Sequence, residues 1–177
     1  IAAVIGIFLG SVAGYFKGIL DEIIMRTLDI VQAFPAFILA MALAVALGSG
    51  KTTIIYVVAF IMIPIFARLV RSEILSARER GYAEAARCMG ASNLEIIVKE
   101  LLPNCLTPVM VQFALSMSYA ILDAAALSFI GLGVRPPEPE WGSMVNQGVR
   151  YIVSGEWWMS IFPGLVMAIT ILGFHLF

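Results

Sequence analysis

Charged residues are scarce in this chain of 177 residues. They make up 13% of it, against 61% hydrophobic residues, whereas a soluble domain carries about 25% charged residues. This scarcity excludes an ordinary soluble domain and favours an integral membrane protein with several spans. The net charge of −1 does not favour nucleic acid as a partner. We therefore expect membrane lipid, and no nucleic acid, around the chain.

Cysteine and histidine are also scarce, with only Cys88, Cys105 and His175 present. The cysteines lack a CxxC spacing and a histidine cluster, which disfavours a metal or redox site. We expect two reduced thiols and a hydrogen bond between helices at His175. An intramembrane enzyme would need a Ser–His set, paired aspartates or HExxH. Because the sequence does not supply such a set, we expect no catalytic residue, no metal and no cofactor bound by this chain.

Five uncharged runs approach the roughly 20 helical residues that cross a bilayer. They do not alternate as barrel strands do, so they predict an all-α polytopic helical bundle. The first residue is not methionine and both ends are apolar, so we interpret residues 1–177 as the interior of one longer transmembrane domain. The predicted spans are 1–16 as the remaining part of the first, 30–48, 52–67, a stretch within 101–134 that begins near Pro108 and contains one charge, Asp123, and 157–177.

Lysine and arginine set the orientation of membrane helices, because they are enriched on the cytoplasmic side. If the spans alternate, residues 17–29 and 68–106 share one side. That side holds Lys17, Arg26, Arg68, Arg71, Arg78, Arg80, Arg87 and Lys99, and the other side holds Lys51, Arg135 and Arg150. The bias predicts a cytoplasmic loop over 71–106. It also predicts an extracytoplasmic loop over 134–156, in or beside which Trp141, Trp157 and Trp158 lie.

The cytoplasmic loop carries strong local signals for helices. Good helix formers predict one helix over 71–89, with Glu84 paired to Arg80 and Arg87. Gly90 then stands where a left-handed residue would end the helix. A capping box of Ser92 and Glu95 predicts a second helix from about Asn93.

The second helix is expected to be short. Glu95 and Lys99 support it at i,i+4, and Pro103 and Pro108 mark a step back into the membrane. This amount of specified structure suits contact with a soluble partner, and the alternative is a surface helix without one.

A seam of small residues marks the first run. Gly6, Gly10, Gly14 and Gly18 recur every four residues, which predicts close packing against another helix. A chance excess of glycine is the alternative.

The loop resembles the EAA loop of bacterial ABC importer permeases of type I. The resemblance rests on Glu84-Ala85-Ala86, then Gly90, then Leu102-Pro103, although Glu100 replaces a common isoleucine. "DEIIMRTLDIVQAFPAFILAMALAVALG", "ALSFIGLGVRPPEPEWGSM" and "FPGLVMAITILGFHLF" are similar to the branch that imports dipeptides, oligopeptides or nickel. The GLGV–PP–P–WG arrangement from Gly131 to Gly142 is typical of one of its two permease subunits.

The resemblance implies a non-catalytic permease in a bacterial or archaeal cytoplasmic (inner) membrane, importing peptides, with nickel or another small solute as the alternative. It implies a second permease subunit, two cytoplasmic ATPase subunits that use ATP and Mg, and an extracytoplasmic substrate-binding protein. An intramembrane enzyme, a channel or a scaffold would not explain the EAA-type loop. The coupling residues that it implies are Tyr82, Glu84, Ala85, Ala86, Gly90, Ala91, Ser92, Leu94, Glu95, Leu102 and Pro103.

Polar residues in the fourth run are the candidates for a translocation pathway. Gln112, Ser116, Tyr119 and Asp123 share a rough helical face. An ionisable group such as Asp123 in a span faces a partner or a wet cavity. In the family the carboxylate commonly stands one residue later, at Ala124 here. A substrate contact and a structural hydrogen bond to a neighbouring helix are therefore equal alternatives for Asp123.

The run GSGKTT, residues 48–53, imitates a phosphate-binding loop. The full motif needs a glycine five residues before Gly50 and a preceding strand, and Val45 stands at that place. A turn between two spans is the better interpretation.

Overall fold

The structure, a computed structural model, describes residues 1–134 and 137–176. Within these ranges the regular secondary structure is helical, which confirms the all-α class. In lipid a helix satisfies its backbone hydrogen bonds within its own segment, and this explains why long apolar runs fold as helices. The elements are α1 (Ala2–Phe16), α2 (Gly18–Gln32), α3 (Ala36–Leu47), α4 (Lys51–Ala77), α5 (Gly81–Cys88), α6 (Asn93–Glu95), a π-helix (Ile96–Leu101), α7 (Leu102–Phe129), α8 (Trp141–Val149) and α9 (Trp158–Leu176).

Three helical stretches in the described chain are long and apolar enough to cross a membrane: α4, Asn93–Phe129 and α9. A fourth is reached if α2 and α3 together form one broken span. Helix α1 is apolar but has only 15 residues. The described part of the chain thus has three or four candidate spans by length and composition, and the run 1–16, predicted as the remaining part of a first span, is the short apolar helix α1.

The predicted span 30–48 is broken by a proline. Helix α2 ends at Gln32, and Pro35 is the N-cap of α3 with an extended ψ of 122°. Proline has no N–H and disfavours helical geometry at the residue before it. The continuous helix expected here is therefore two helices.

The predicted span 52–67 is longer than expected, since α4 continues to Ala77. Two acidic side chains of α2 neutralise the arginines that this extension brings in. Arg68 Nη2 lies 2.5 Å from Asp29 Oδ1. Arg71 donates to both carboxylate oxygens of Asp21, at 2.5 and 2.6 Å. These pairs explain why charged residues did not end the helix.

Of the remaining two predicted spans, the last keeps its position, whereas the span expected to begin near Pro108 belongs to a helical stretch that begins at Asn93 and runs through this proline. The helix within 101–134 ends at Phe129, and α9 covers Trp158–Leu176 of the predicted 157–177. Phe177 lies outside the described residues.

The described chain separates into two compact units. The first comprises Ile1–Ala33 and Met62–Phe113, and the second comprises Phe34–Ile61 and the described residues from Ala114 onward. Helices α4 and α7 contribute to both units.

Glycines of α1 form a seam against α4 in the first unit. A Cβ added at Gly10 would lie 2.9 Å from Val70 Cβ, and Gly6 and Gly14 are equally close to α4. Only the absence of a side chain permits this approach. The prediction is confirmed for these three glycines and wrong for Gly18, which begins α2 at φ 62° with nothing within 4 Å of its Cβ position.

Helix α8 is fixed closely in the second unit. A Cβ at Gly142 would overlap the backbone of Ala125, and one at Gly148 would overlap the backbone of Met159. The carboxylate of Glu140 caps α8 by accepting from two backbone amides at 2.8 and 3.0 Å. The described part of the predicted loop 134–156 thus contains a capped helix. Arg135, counted above as a basic residue of this loop, and Pro136 of the GLGV–PP–P–WG arrangement lie outside the described residues.

The GSGKTT run forms a turn between two helices, as predicted. Helix α3 ends at Leu47, Gly48 has φ 85°, and Lys51 begins α4. Lys51 Nζ lies 3.7 Å from Glu138 Oε2. The preceding element is a helix, whereas a phosphate-binding loop follows a strand.

Candidate functional site

The chain between α4 and α7 turns back on itself, and we call residues 78–103 the elbow. The single helix predicted over 71–89 is wrong, because α4 ends at Ala77 and α5 begins at Gly81. The reason is tertiary packing. Ala77 and Ala86 belong to the same buried cluster, but nine residues of continuous helix at about 100° each would place them on opposite faces.

Gly90 ends α5 in the predicted left-handed conformation, at φ 83°. The Gly90 amide donates to the Arg87 carbonyl at 3.0 Å, and the Ala91 amide donates to the Ala86 carbonyl at 3.1 Å. These two bonds form a Schellman motif, which satisfies carbonyls at the helix end. The elbow therefore has a defined bend at Gly90.

The predicted capping box is present after this bend. The Glu95 amide donates to Ser92 Oγ at 3.3 Å, and the Ser92 amide donates to Glu95 Oε2 at 3.0 Å. Lys99 Nζ lies 3.3 Å from Glu95 Oε1, which confirms the i,i+4 pair. Reciprocal capping fixes the start of a helix, so α6 begins at Asn93 as expected.

The expected short helix with a proline step is not observed. Asn93–Phe129 is one continuous helical stretch, in which Ile96–Leu101 is a π-helix. The Leu102 amide donates to the Ile97 carbonyl, five residues earlier. Pro103 has no amide to donate, and the wider turn before it accommodates this gap within the helix.

The elbow has a buried face and an exposed face, and the implied coupling residues divide between them. Ala86 is buried, while Tyr82, Ala91 and Leu102 are partly buried and pack against the same cluster. The others are exposed: Glu84, Ala85, Gly90, Ser92, Leu94, Glu95 and Pro103. The two alanines of the EAA arrangement therefore differ, since Ala86 anchors the elbow and Ala85 faces outward.

Two further features of the elbow were not predicted from the sequence. Ala83 is fully buried in the cluster beside Ala86, and helical i,i+3 spacing was the available signal. Met89 is 82% exposed and Leu94 is 70% exposed. A long apolar side chain held in the open on a rigid bend is suited to insertion into a partner's groove.

Glu84 is also exposed, on α5. The ion pairs of the described residues do not include the expected pairs of Glu84 with Arg80 and Arg87. Arg80 is the extended N-cap of α5 and does not lie within its helix. The carboxylate of Glu84 therefore stands on the outer face of α5 with solvent around it.

Tyr15, at the end of α1, contacts three parts of the elbow. Its hydroxyl donates to Asn93 Oδ1 at 2.8 Å. Its carbonyl accepts from Arg78 Nη1 at 2.5 Å. The guanidinium carbons of Arg78 and Arg87 lie 6.0 and 5.9 Å from the centre of its ring. The sequence carries no local signal for these contacts, because Tyr15 and Asn93 are 78 residues apart.

The four pathway candidates lie along α7. Ser116 is buried, Gln112 and Asp123 are partly buried, and Tyr119 is exposed. Gln112 belongs to the first unit and the other three belong to the second. In the second unit an apolar pocket of about 300 Å³ borders on Leu122, and none of the four candidates lines it.

His175 lies close to a serine of another helix. Its Nδ1 is 2.9 Å from Ser118 Oγ, which links α9 to α7 and confirms the expected hydrogen bond between helices.

Cys88 is exposed and Cys105 is buried, and both are free thiols. Over residues 1–134 and 137–176, no three His, Cys, Asp or Glu side chains are grouped to hold a metal ion.

Long apolar helices and a rigidly capped elbow between two of them define the class, a multi-pass membrane component. Comparison with known families gives the assignment within it. Residues 6–177 match the family described as "Binding-protein-dependent transport system inner membrane component", and the chain belongs to that family. The family is one of ABC permeases, which are non-catalytic subunits in the inner membrane.

Relatives of this chain include permease proteins of peptide and glutathione transport systems. It is 41% identical to the dipeptide permease protein DppC of Alkalihalophilus pseudofirmus, over 99% of this chain and 57% of DppC. It is 41% identical to the glutathione permease protein GsiD of Pectobacterium atrosepticum, over 99% of this chain and 58% of GsiD. It is 42% identical to the probable D,D-dipeptide permease protein DdpC of Escherichia coli, over 100% of this chain and 59% of DdpC. The chain thus spans less than two thirds of the length of these curated relatives.

Proposed function

We propose that this chain is the permease part of an ATP-driven, binding-protein-dependent importer of peptides. The observation that carries the proposal is the two-faced elbow. Its inner face packs into the core of the first unit through Ala83 and Ala86, and its outer face presents Glu84, Met89 and Leu94. A rigid exposed bend of this kind transmits a push from a partner to the helices on either side of it.

The proposed partner at the elbow is a cytoplasmic ATPase. Exposed apolar side chains at the bend, together with the exposed carboxylate of Glu84 on the same elbow, suit an apolar groove with a basic rim. The implied coupling residues would then act in two ways: the exposed ones contact the ATPase, and the buried ones transfer its movement. ATP and Mg would be used by two ATPase subunits, and this chain would bind neither.

The predicted extracytoplasmic loop over 134–156 would meet the binding protein. Most basic residues lie in 17–29 and 68–106, and by the positive-inside rule this supports a cytoplasmic position for the elbow. Residues 134–156, with the capped helix α8, would then face outward, where a substrate-binding protein delivers its cargo. A second permease subunit would complete the pathway.

Peptides are the proposed cargo, since the relatives named above are dipeptide and glutathione permeases. Nickel is the weaker alternative. We further propose that the polar residues of α7, Gln112, Ser116, Tyr119 and Asp123, line the route. A carboxylate at Asp123 would attract the amino terminus of a peptide.

The test is reconstitution of the complete importer in vesicles, with its binding protein and a dipeptide. The expected result is ATP hydrolysis that rises when both are added, together with dipeptide uptake. ATP hydrolysis that is the same with and without the binding protein would contradict the proposal. Uptake of nickel but not of dipeptide would overturn the cargo alone.

A further inference from the structure

The last turn of α1 contacts three parts of the elbow through one residue, Tyr15. Tyr15 is buried, with 8% of its surface exposed. Its hydroxyl binds Asn93 at the start of α6, and its ring lies beside Arg87 of α5. Its carbonyl accepts from Arg78, which precedes α5. A movement of the elbow must therefore either carry Tyr15 with it or break these contacts.

Helix α1 is in turn locked to α4. The seam at Gly6, Gly10 and Gly14 leaves no room for even a methyl group between the two helices. Close-packed interfaces transmit displacement and do not absorb it. A displacement of Tyr15 would therefore be transmitted to both α1 and α4, because the two helices are in contact from Gly6 to Gly14.

The bond between Tyr15 and Asn93 occupies a particular position. Asn93 is the first residue of α6, immediately after the capping residue Ser92. The Gly90 bend on one side and the capping box on the other fix its backbone. The Tyr15 hydroxyl is thus bonded to a point of the elbow whose backbone is held by hydrogen bonds on both sides.

We propose that Tyr15 is a positioning residue, which couples displacement of the elbow to the α1–α4 pair through its hydroxyl bond to Asn93. The proposal rests on the proposed function, because it assumes that an ATPase moves the elbow. It adds a role for α1, which no motif of the loop indicates.

The experiment compares variants in the complete importer, reconstituted with its ATPase, binding protein and a dipeptide. The measured quantity is dipeptide transported per ATP hydrolysed. Tyr15→Phe removes the hydroxyl and keeps the ring, and Asn93→Ala removes the acceptor. Each should lower the ratio about fivefold, the factor set by one ordinary hydrogen bond, and the double variant should lower it no further. Basal ATP hydrolysis should remain unchanged.

Two controls separate coupling from general damage. Asn93→Asp keeps an acceptor oxygen and should retain the wild-type ratio. Tyr56→Phe makes the same chemical change at a tyrosine that is 58% exposed and should also retain it. If Tyr15→Phe is not inserted into the membrane, the Asn93→Ala and Asn93→Asp pair tests the same bond.

A wild-type ratio in Tyr15→Phe, additive losses in the double variant, or equal ratios in Asn93→Ala and Asn93→Asp would each overturn the inference. Failure of the proposed function has a different signature. In that case the wild-type complex itself shows no ATP hydrolysis that depends on the binding protein, and the inference falls with it.

Discussion

The amide of Ala91 donates a hydrogen bond to the carbonyl of Ala86 at 3.1 Å, across the end of α5. The residue between them that makes this possible is Gly90, at φ 83°. A side chain on an L-residue in this region clashes with the following carbonyl. The direction in which the elbow presents Met89 and Leu94 therefore depends on one glycine.

Replacing Gly90 should strain the bend. Gly90→Ala should lower the free energy of unfolding by about 1–2 kcal/mol, and uptake should fall although the protein still reaches the membrane. The expected loss of stability in Gly90→Ala is not caused by a clash with a neighbouring residue, because nothing lies within 4 Å of the Cβ position at Gly90. Gly164→Ala is the matched control, since Gly164 is equally open but has no positive φ. Thermal unfolding of the purified complex measures the stability of both variants. Equal melting temperatures for Gly90→Ala and Gly164→Ala would show that the backbone at Gly90 is not strained by a side chain.

The seam between α1 and α4 predicts a steric effect instead. Gly10→Ala would place a Cβ 2.9 Å from Val70 Cβ and closer still to the Ala67 carbonyl. The helices must separate, which should cost about 1–3 kcal/mol. Gly173→Ala, with nothing within 4 Å in α9, should cost nothing. Thermal unfolding in detergent checks the difference, and an unaltered melting temperature for Gly10→Ala would show that the helices are not so close.

Tyr82 offers a test of burial without hydrogen bonding. Over residues 1–134 and 137–176, its hydroxyl is buried and has no hydrogen-bond partner. Tyr82→Phe should therefore leave the stability unchanged or raise it by about 1 kcal/mol, and uptake should persist. Tyr82→Ala, which also removes the ring from the core cluster, should lower stability by about 2–3 kcal/mol. A destabilised Tyr82→Phe would reveal a partner for the hydroxyl.

Glu84 tests the contact with the ATPase. The side chain is exposed and is absent from the ion pairs of the described chain, so Glu84→Lys should leave folding intact. Co-purification of the ATPase should fall about tenfold, because a lysine would face a basic rim. Glu156→Lys makes the same charge change in the predicted outer loop and should retain the ATPase. Equal recovery of ATPase with both variants would argue against contact at Glu84.

The parts of the elbow that were correctly predicted depend on local sequence. The capping box needs only Ser92 and Glu95, three residues apart, and the left-handed turn needs only Gly90. Their hydrogen bonds close within a few residues, so spacing alone identifies them. The same holds for the seam of Gly6, Gly10 and Gly14, whose period is that of one helix face.

The parts that were not predicted depend on tertiary contacts. The break between Ala77 and Gly81 exists because both flanking helices bury alanines in one cluster. The π-helix before Pro103 keeps a helix continuous where proline was expected to interrupt it. Gly18 has the period of the seam but lies beyond the end of α1. Neither these features nor the contact of Tyr15 with Asn93 leaves a pattern in the local sequence.

The position of the elbow on the cytoplasmic side is the central claim, and the two native cysteines allow a direct test of it. Cys88 is exposed on α5 and Cys105 is buried, so a maleimide that cannot cross membranes reports on Cys88. Ser154→Cys, at an exposed residue of the predicted outer loop, serves as the opposite control in a Cys88→Ser background. The account predicts that Cys88 is labelled in inverted vesicles and not in intact cells, with the reverse for Ser154→Cys. Labelling of Cys88 in intact cells would place the elbow outside, away from any ATPase, and would contradict the account.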